Sequence, residues 1–503
     1  MLIVLGLFIL AIHGYFLWSL GAGFYYDSLV YAQLAEALFT KGGLEAFYSG
    51  PRYYIFQHLA PGLSLFWGGA SLLGGPYAWL LFATAQHLIA VAGLLYVLWV
   101  WRPLIGGPFL VGAAFLISCH PLYQSLHNRL MTESITGSML LIGLGAASSI
   151  LLRRGASTAP LVALTSSAII AIQFRSQSVL YFVICFLAVL GALQGRAARA
   201  MWGACLAVVV CSVFLWPVYR LSMIGQWFLP NTSYLSLTYA LRFNIDPSLA
   251  VVDRLKELSL PANVSAEKLK SQGIDFMDAA GIGESLRRGG MSDAGAKAEV
   301  LKAAWAVRTD SPAVVINQLR IPLLSIGVKY PVFLGDPAAV IHRGFTNATY
   351  ARHVDYWEQW EGGTLQDDYA GELDTLVTFS KNSQGLYDLA VTERFERSLR
   401  PFLVTSPVGF RDPLSLIHVS SDLWLIGWFV AACRLWRQYR PMVWLLVAPV
   451  GAAYLMSVTV PVGNPRYAYP FLPIYILSCA VALEYMVLHI GWRKSERLMQ
   501  PAR

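Results

Sequence analysis

The sequence predicts an all-α polytopic membrane protein of about ten spans, interrupted once by a large polar insert. Three observations predict it. Of the 503 residues, 56% are hydrophobic and only 13% charged, with a mean hydropathy of +0.53. A soluble domain carries about 25% charged residues. The apolar residues form runs long enough to cross a hydrocarbon core of about 30 Å, which takes about 20 helical residues. The charges are segregated: residues 221–411 hold 21 of the 29 acidic and 19 of the 37 basic residues, leaving 18 basic and 8 acidic for the remainder.

Apolar runs lie near 1–20, 77–101, 104–120, 134–152, 158–174, 178–195, 201–219, 414–433, 442–460 and 467–489. The run 55–75 is different, because it holds His58, Pro61 and five glycines, Gly62, Gly68, Gly69, Gly74 and Gly75. Basic residues follow alternate run ends: Arg102, Arg153 with Arg154, Arg196 with Arg199, then Arg434, Arg437 and Arg440, then Arg493, Lys494 and Arg497. The positive-inside rule puts them all on the cytoplasmic side at once if 55–75 does not cross. That segment then lies along or re-enters the outer leaflet, which its Gly and Pro content permits. The result is ten spans with both termini inside and the 221–411 insert outside.

The basic excess belongs to helix ends. No basic patch on a soluble face points to nucleic acid. Cys119, Cys185, Cys205, Cys211, Cys433 and Cys479 lie in or beside apolar runs with no CxxC pair, and read as small packing residues. The first 20 residues lack a basic leader region and read as a retained span. No GxGxxG, P-loop, HExxH or GxSxG motif occurs, so nucleotide-sugar, ATP and zinc-protease readings lack their usual support. No internal repeat is evident.

In this topology Asp27, His58, His127, Arg129, Glu133, Arg175, Arg220 and Arg466 all fall at the outer mouth of the bundle. Ionisable groups at membrane depth are costly and tend to be functional. Asp27 precedes an apolar-faced stretch, 29–38, that predicts an interfacial helix. It is either an N-cap or a carboxylate aimed at a polar substrate, as general base or metal ligand. Glu133 is expected in the first turn of the span from 134, where the helix dipole favours a carboxylate. Alternatively it pairs with Asp27 to hold a divalent cation, Mg or Mn, or to share proton transfer.

Arg129 is a phosphate ligand or an interface anchor. Arg175 has no acidic residue within ten positions and reads as unpaired, suited to a lipid phosphate or to snorkelling. Arg466 and Tyr467 open the last span after a Gly-Asn-Pro turn, and Arg466 is the preferred phosphate ligand. The insert shows helical patches at 252–258, 294–308 and 314–333, and Asn-x-Ser/Thr triplets at Asn231, Asn263 and Asn347.

Four features in order carry a resemblance. They are the first-loop Asp27 before its interfacial helix, Ala60-Pro61-Gly62-Leu63, the Met131-Thr132-Glu133 turn, and Asn464-Pro465-Arg466-Tyr467. Together they resemble the GT-C glycosyltransferase superfamily, in particular bacterial protein O-mannosyltransferases and lipid A aminoarabinose transferases, over 1–220 and 412–490. The resemblance implies a GT-C-type bundle in the bacterial inner membrane with a periplasmic active site. It also implies a polyprenyl-phosphate sugar donor and transfer to a lipid, glycan or protein acceptor. Asp27 takes the place of the first-loop acid, Glu133 of the second-loop acid and Arg466 of the group beside the lipid phosphate. His58, His127, Arg129, Arg175 and Tyr467 complete the expected substrate-binding set. Asp27 is followed by Ser28 where the family often has a second acid, and the usual double proline is reduced to Ala60-Pro61.

Three domains follow: a transmembrane module 1–220, the extracytoplasmic insert 221–411 and a second transmembrane module 412–503. The competing classes are a transporter or flippase of lipid-linked sugars and a glycan polymerase or ligase. A transporter favours broken helices and polar groups at mid-membrane, whereas these runs carry almost no charge.

Overall fold

The computed structural model describes residues 2–20, 28–39, 41–49, 59–119, 121–153, 158–225, 290–292, 295, 426–436, 440–459 and 469–499. Among these residues the elements are helical, with no β-strand. In chain order they are α1 Leu2–Leu20, α2 Ser28–Phe39, α3 Gly43–Ser49, α4 Gly62–Gly74, a 3-10 turn Gly75–Tyr77, α5 Ala78–Trp101, α6 Gly107–Ser118, α7 Pro121–His127, α8 Thr132–Arg153, α9 Thr158–Phe174, α10 Ser178–Leu190, α11 Arg196–Ser212 and α12 Leu215–Ile224. After the insert come α13 Ile426–Trp436, α14 Arg440–Thr459, a 3-10 turn Tyr469–Phe471 and α15 Leu472–Met499.

Helix α8 is the axis of the bundle. From Thr132 to Leu151 every residue but Ile142 is buried. It packs against α5, α9, α10, α14 and the Tyr469–Phe471 turn. Its composition explains this position, since small residues let helix backbones approach closely. A Cβ on Gly93 of α5 would lie 3.0 Å from the Ser138 carbonyl oxygen, and one on Gly145 would lie 2.8 Å from the Tyr96 ring. Trp101 then closes the seam by donating from Nε1 to Ser148 Oγ at 2.9 Å. These pairs advance together along both chains, so α5 and α8 run parallel.

That direction defines two ends. At one, the Arg102 and Arg153 guanidinium groups lie 5.7 and 5.1 Å from the Trp99 ring centroid. Glu484 of α15 is there too, accepting from the Gly106 amide at 3.0 Å and from Arg434 Nη1 at 3.3 Å. The opposite end carries Glu133 and the turn after α9. Three of the alternately spaced arginines, Arg102, Arg153 and Arg434, therefore share one end of the bundle.

Helix α4 does not traverse the bundle. A Cβ on its first residue, Gly62, would lie 2.6 Å from the Gln173 carbonyl oxygen, at the last turn of α9. Its last residue, Gly74, packs on Ala78 and Leu81, the first turn of α5. Phe66 and Trp67 sit on Phe82, with centroids 5.1 and 5.5 Å away. Helix α5 begins about three turns before the level of Thr132, so α4 runs antiparallel to that overhang, away from the arginine end. Its 13 residues reach only about 20 Å. Helix α2 packs on α4 and buries Tyr31, Leu34, Ala35 and Ala37.

Among the described residues, two helices, Leu80–Trp101 and Thr132–Arg153, are long and apolar enough to cross a membrane. A third crossing arises if α11 and α12, bent by 41°, form one span. The sequence reads one continuous run at 201–219. The structure breaks it after Ser212, and Pro217 follows in the first turn of α12, a position proline tolerates. Several other runs fold into shorter helices. Helix α6, for example, begins only at Gly107-Pro108, because Gly106-Gly107-Pro108 punctuates the run predicted from 104.

Candidate functional site

Glu133 sits in the first turn of α8, as the sequence predicts, and is fully buried. Thr132 donates its hydroxyl to Glu133 Oε2 at 3.3 Å. Arg175 Nη1 lies 3.5 Å from Glu133 Oε1, with both side chains buried. This corrects the expectation of an unpaired Arg175. Its acid comes from the neighbouring helix, where sequence distance gives no signal. The Arg175 position is set by a tight turn: its amide donates to the Ala171 carbonyl at 2.7 Å and its carbonyl accepts from the Ser178 amide at 2.9 Å. That turn delivers the guanidinium across the α8–α9 seam.

Arg129 is buried in the segment between α7 and α8. Gln86 of α5 fixes that segment, since its Nε2 donates to the carbonyls of His127 at 3.0 Å and of Arg129 at 3.1 Å. His127 is fully buried, with Nδ1 2.8 Å from Ser134 Oγ in the first turn of α8. Burial holds the His127 imidazole well below its ordinary affinity for a proton, and the nearby His87 and His13 rings lower it further. Arg220 is also fully buried, but on α12, which packs toward α3.

The structure thus brings together Glu133, Arg175, Arg129 and His127 around the start of α8. Asp27, His58, Arg466 and Tyr467 lie outside the described residues, as do most of the insert and its helical patches at 252–258, 294–308 and 314–333. The sequence reading missed Gln86, Gln124, His13 and His87. His13 and His87 lie inside apolar runs, and the signal that could have found them is an ionisable residue within a span. Their rings and that of His127 form a cluster with centroids 5.2 to 5.5 Å apart. Tyr123 closes it from α7, edge to face on His127 at 4.6 Å.

Among the described residues no group of three or more His, Cys, Asp or Glu side chains is arranged to hold a metal ion. Glu133 is the one residue of the expected Asp27–Glu133 pair within them, and its carboxylate is engaged by Arg175 and Thr132.

Chemically, this end of the bundle offers a buried carboxylate positioned by a hydroxyl and a guanidinium. Two more buried guanidinium groups lie in neighbouring segments. Such an arrangement suits an anionic, partly apolar ligand. Comparison with protein-family models, curated proteins and solved structures gives no match.

Proposed function

We propose that the chain is a membrane glycosyltransferase that moves a sugar from a polyprenyl-phosphate donor to an acceptor hydroxyl at the outer face of a bacterial inner membrane. The observation that carries the reading is the buried Glu133–Arg175 pair at the end opposite Arg102, Arg153 and Arg434. With the arginine end cytoplasmic by the positive-inside rule, α4 lies in the outer half as a non-crossing hairpin arm. In this reading the chain makes ten spans with both termini inside.

In this reading Asp27 takes the acceptor hydroxyl's proton as the glycosidic bond forms. The bond that breaks joins the sugar's anomeric carbon to the lipid phosphate, which leaves with the electron pair. Arg466, Arg129 and Tyr467 hold that phosphate, and cationic donors stabilise its growing charge. Arg175 has the narrower role of fixing Glu133. Glu133 is the second acid, orienting the acceptor or sharing a divalent ion with Asp27. His58 lines the acceptor side, and the insert covers the site. The prenyl tail enters sideways from the bilayer.

The test is transfer of radiolabelled sugar from a set of polyprenyl-phosphate donors by purified protein, with Asp27→Asn as control. Loss of transfer in that variant, with folding intact, supports the reading. A chelator arm reports whether Asp27 and Glu133 share Mg or Mn.

One observation favours a second reading. The 41° break between α11 and α12 is the kind of interrupted span used by transporters, here of lipid-linked sugars. Movement of donor lipid between leaflets that survives Asp27→Asn, without sugar transfer, would select it.

A further inference from the structure

The reaction proposed above uses neither His13 nor His87, and the hydrogen bonds of these two rings determine which nitrogens carry protons. Gln124 Nε2 lies 2.6 Å from the Ser118 carbonyl oxygen. That oxygen can only accept, so the amide nitrogen is correctly placed there. Its second hydrogen goes to His13 Nε2 at 3.1 Å, which must be the lone-pair nitrogen of that ring. The His13 proton is then on Nδ1 and is donated to His87 Nδ1 at 3.0 Å. His87 consequently carries its own proton on Nε2.

Both rings are neutral, and every lone pair of the two is in use. A further proton can enter this pair only by breaking the Gln124–His13 or the His13–His87 bond. His127 gives no easy outlet. Its ring lies 5.2 and 5.5 Å from the other two, and a charge on it would be buried with them. His127 Nε2 is buried without a hydrogen-bond partner, so no acceptor stands ready to stabilise an imidazolium on that ring.

These bonds tie three elements together. His13 belongs to α1, His87 to α5, and Gln124 and His127 to α7. Asn128 adds a weak bond to the Phe16 carbonyl at 3.4 Å. The titratable or charged groups of the surrounding elements are Cys119 after α6, Tyr123 of α7, Arg129 before α8, and Glu133 of α8 with its partner Arg175.

We infer that His13, His87 and His127 form an acid-sensitive latch that holds α1 on α5 and α7 while neutral and releases α1 at the Glu133 end when protonated. In the topology proposed above this end faces outside, where pH follows the surroundings. The latch itself does not depend on the transferase reading.

Two measurements on the purified protein in nanodiscs test it. The first is amide hydrogen exchange of α1, corrected for the intrinsic pH dependence. Wild type should lose protection around His13–Phe16 by about 10- to 30-fold between pH 7 and pH 5, since a pH 1.5 units below the ordinary imidazole value favours the charged free ring about 30-fold. His87→Gln, which keeps a polar group but cannot titrate, should show a flatter profile. The second needs no variant and covers a His87→Gln that fails to fold. Imidazole 15N spectra of wild type at pH 7 should show His13 protonated on Nδ1 and His87 on Nε2, both neutral.

Protection of α1 that does not change with pH in wild type, a charged ring at pH 7, or the opposite tautomers would overturn the latch. So would a metal-type shift of these nitrogens on adding equimolar Zn2+, which would make the cluster a metal site. A protein that transfers no sugar yet loses α1 protection in acid would sink the transferase reading and leave the latch standing.

Discussion

Arg175 Nη1, just past the C-terminal end of α9, stands 3.5 Å from Glu133 Oε1 at the N-terminal end of α8, and both side chains are buried. The pair links the first turn of α8 to the turn leaving α9. Removing one partner strands a buried charge, which costs about 3–5 kcal/mol, while removing both leaves no stranded charge. Arg175→Met should therefore destabilise the protein by about 3–5 kcal/mol, and Glu133→Gln/Arg175→Met should cost less than the two single changes summed. Thermal unfolding of the four proteins in one detergent checks this. Additive losses would show that the pair has no coupling energy.

Gly62 lets α4 close on α9 directly beside Arg175. A Cβ there would meet the Gln173 carbonyl at 2.6 Å, whereas one on Gly69 of the same helix has nothing within 4 Å. Gly62→Ala should cost about 1–3 kcal/mol, and Gly69→Ala almost nothing. Equal unfolding temperatures for the two variants would mean that α4 does not rest on α9 in this way.

Glu484 serves the opposite end. It accepts from Gly106 and from Arg434, and Arg434 also donates to the Val481 carbonyl at 2.9 Å. Glu484→Gln keeps an acceptor for Gly106 but loses the ion pair, for an expected cost of about 1 kcal/mol, since both groups are partly exposed. Sugar transfer should not change. A large loss of transfer would place the chemistry at the wrong end of the bundle in this account.

The pH dependence has a definite sign. The folded protein holds His127 well below its ordinary value of 6.5. Below about pH 6.5 the unfolded chain binds more protons than the folded one, so stability falls as pH falls. Unfolding temperature should drop between pH 7 and pH 5, and His127→Gln should reduce the drop. A drop of the same size in that variant would assign the effect to other groups.

Much of this was legible in the sequence. Alternating arginines marked Arg102, Arg153 and Arg434 as one end because basic residues cluster on one side of a membrane protein. Glu133 in a first turn and a 55–75 segment unlike the other runs were legible from helix polarity and from glycine and proline content. The Glu133–Arg175 pair was not, because an ion pair between packed helices depends on register and leaves no spacing signal. The histidine cluster escaped for the same reason. His13 and His87 each look like an isolated polar residue in an apolar run until the antiparallel packing of α1 on α5 joins them. The break after Ser212 was not legible, because 201–219 reads as one continuous apolar run.

Sugar transfer from polyprenyl-phosphate donors by purified wild type and Glu133→Gln, with Glu484→Gln as a folded control, is the decisive measurement of whether the Glu133 end carries the chemistry. Wild type and the control should transfer sugar, and Glu133→Gln should lose about 100-fold or more, the scale of a lost acid–base or positioning group. Transfer by Glu133→Gln at the wild-type rate, or none by wild type from donors it binds, would contradict that placement.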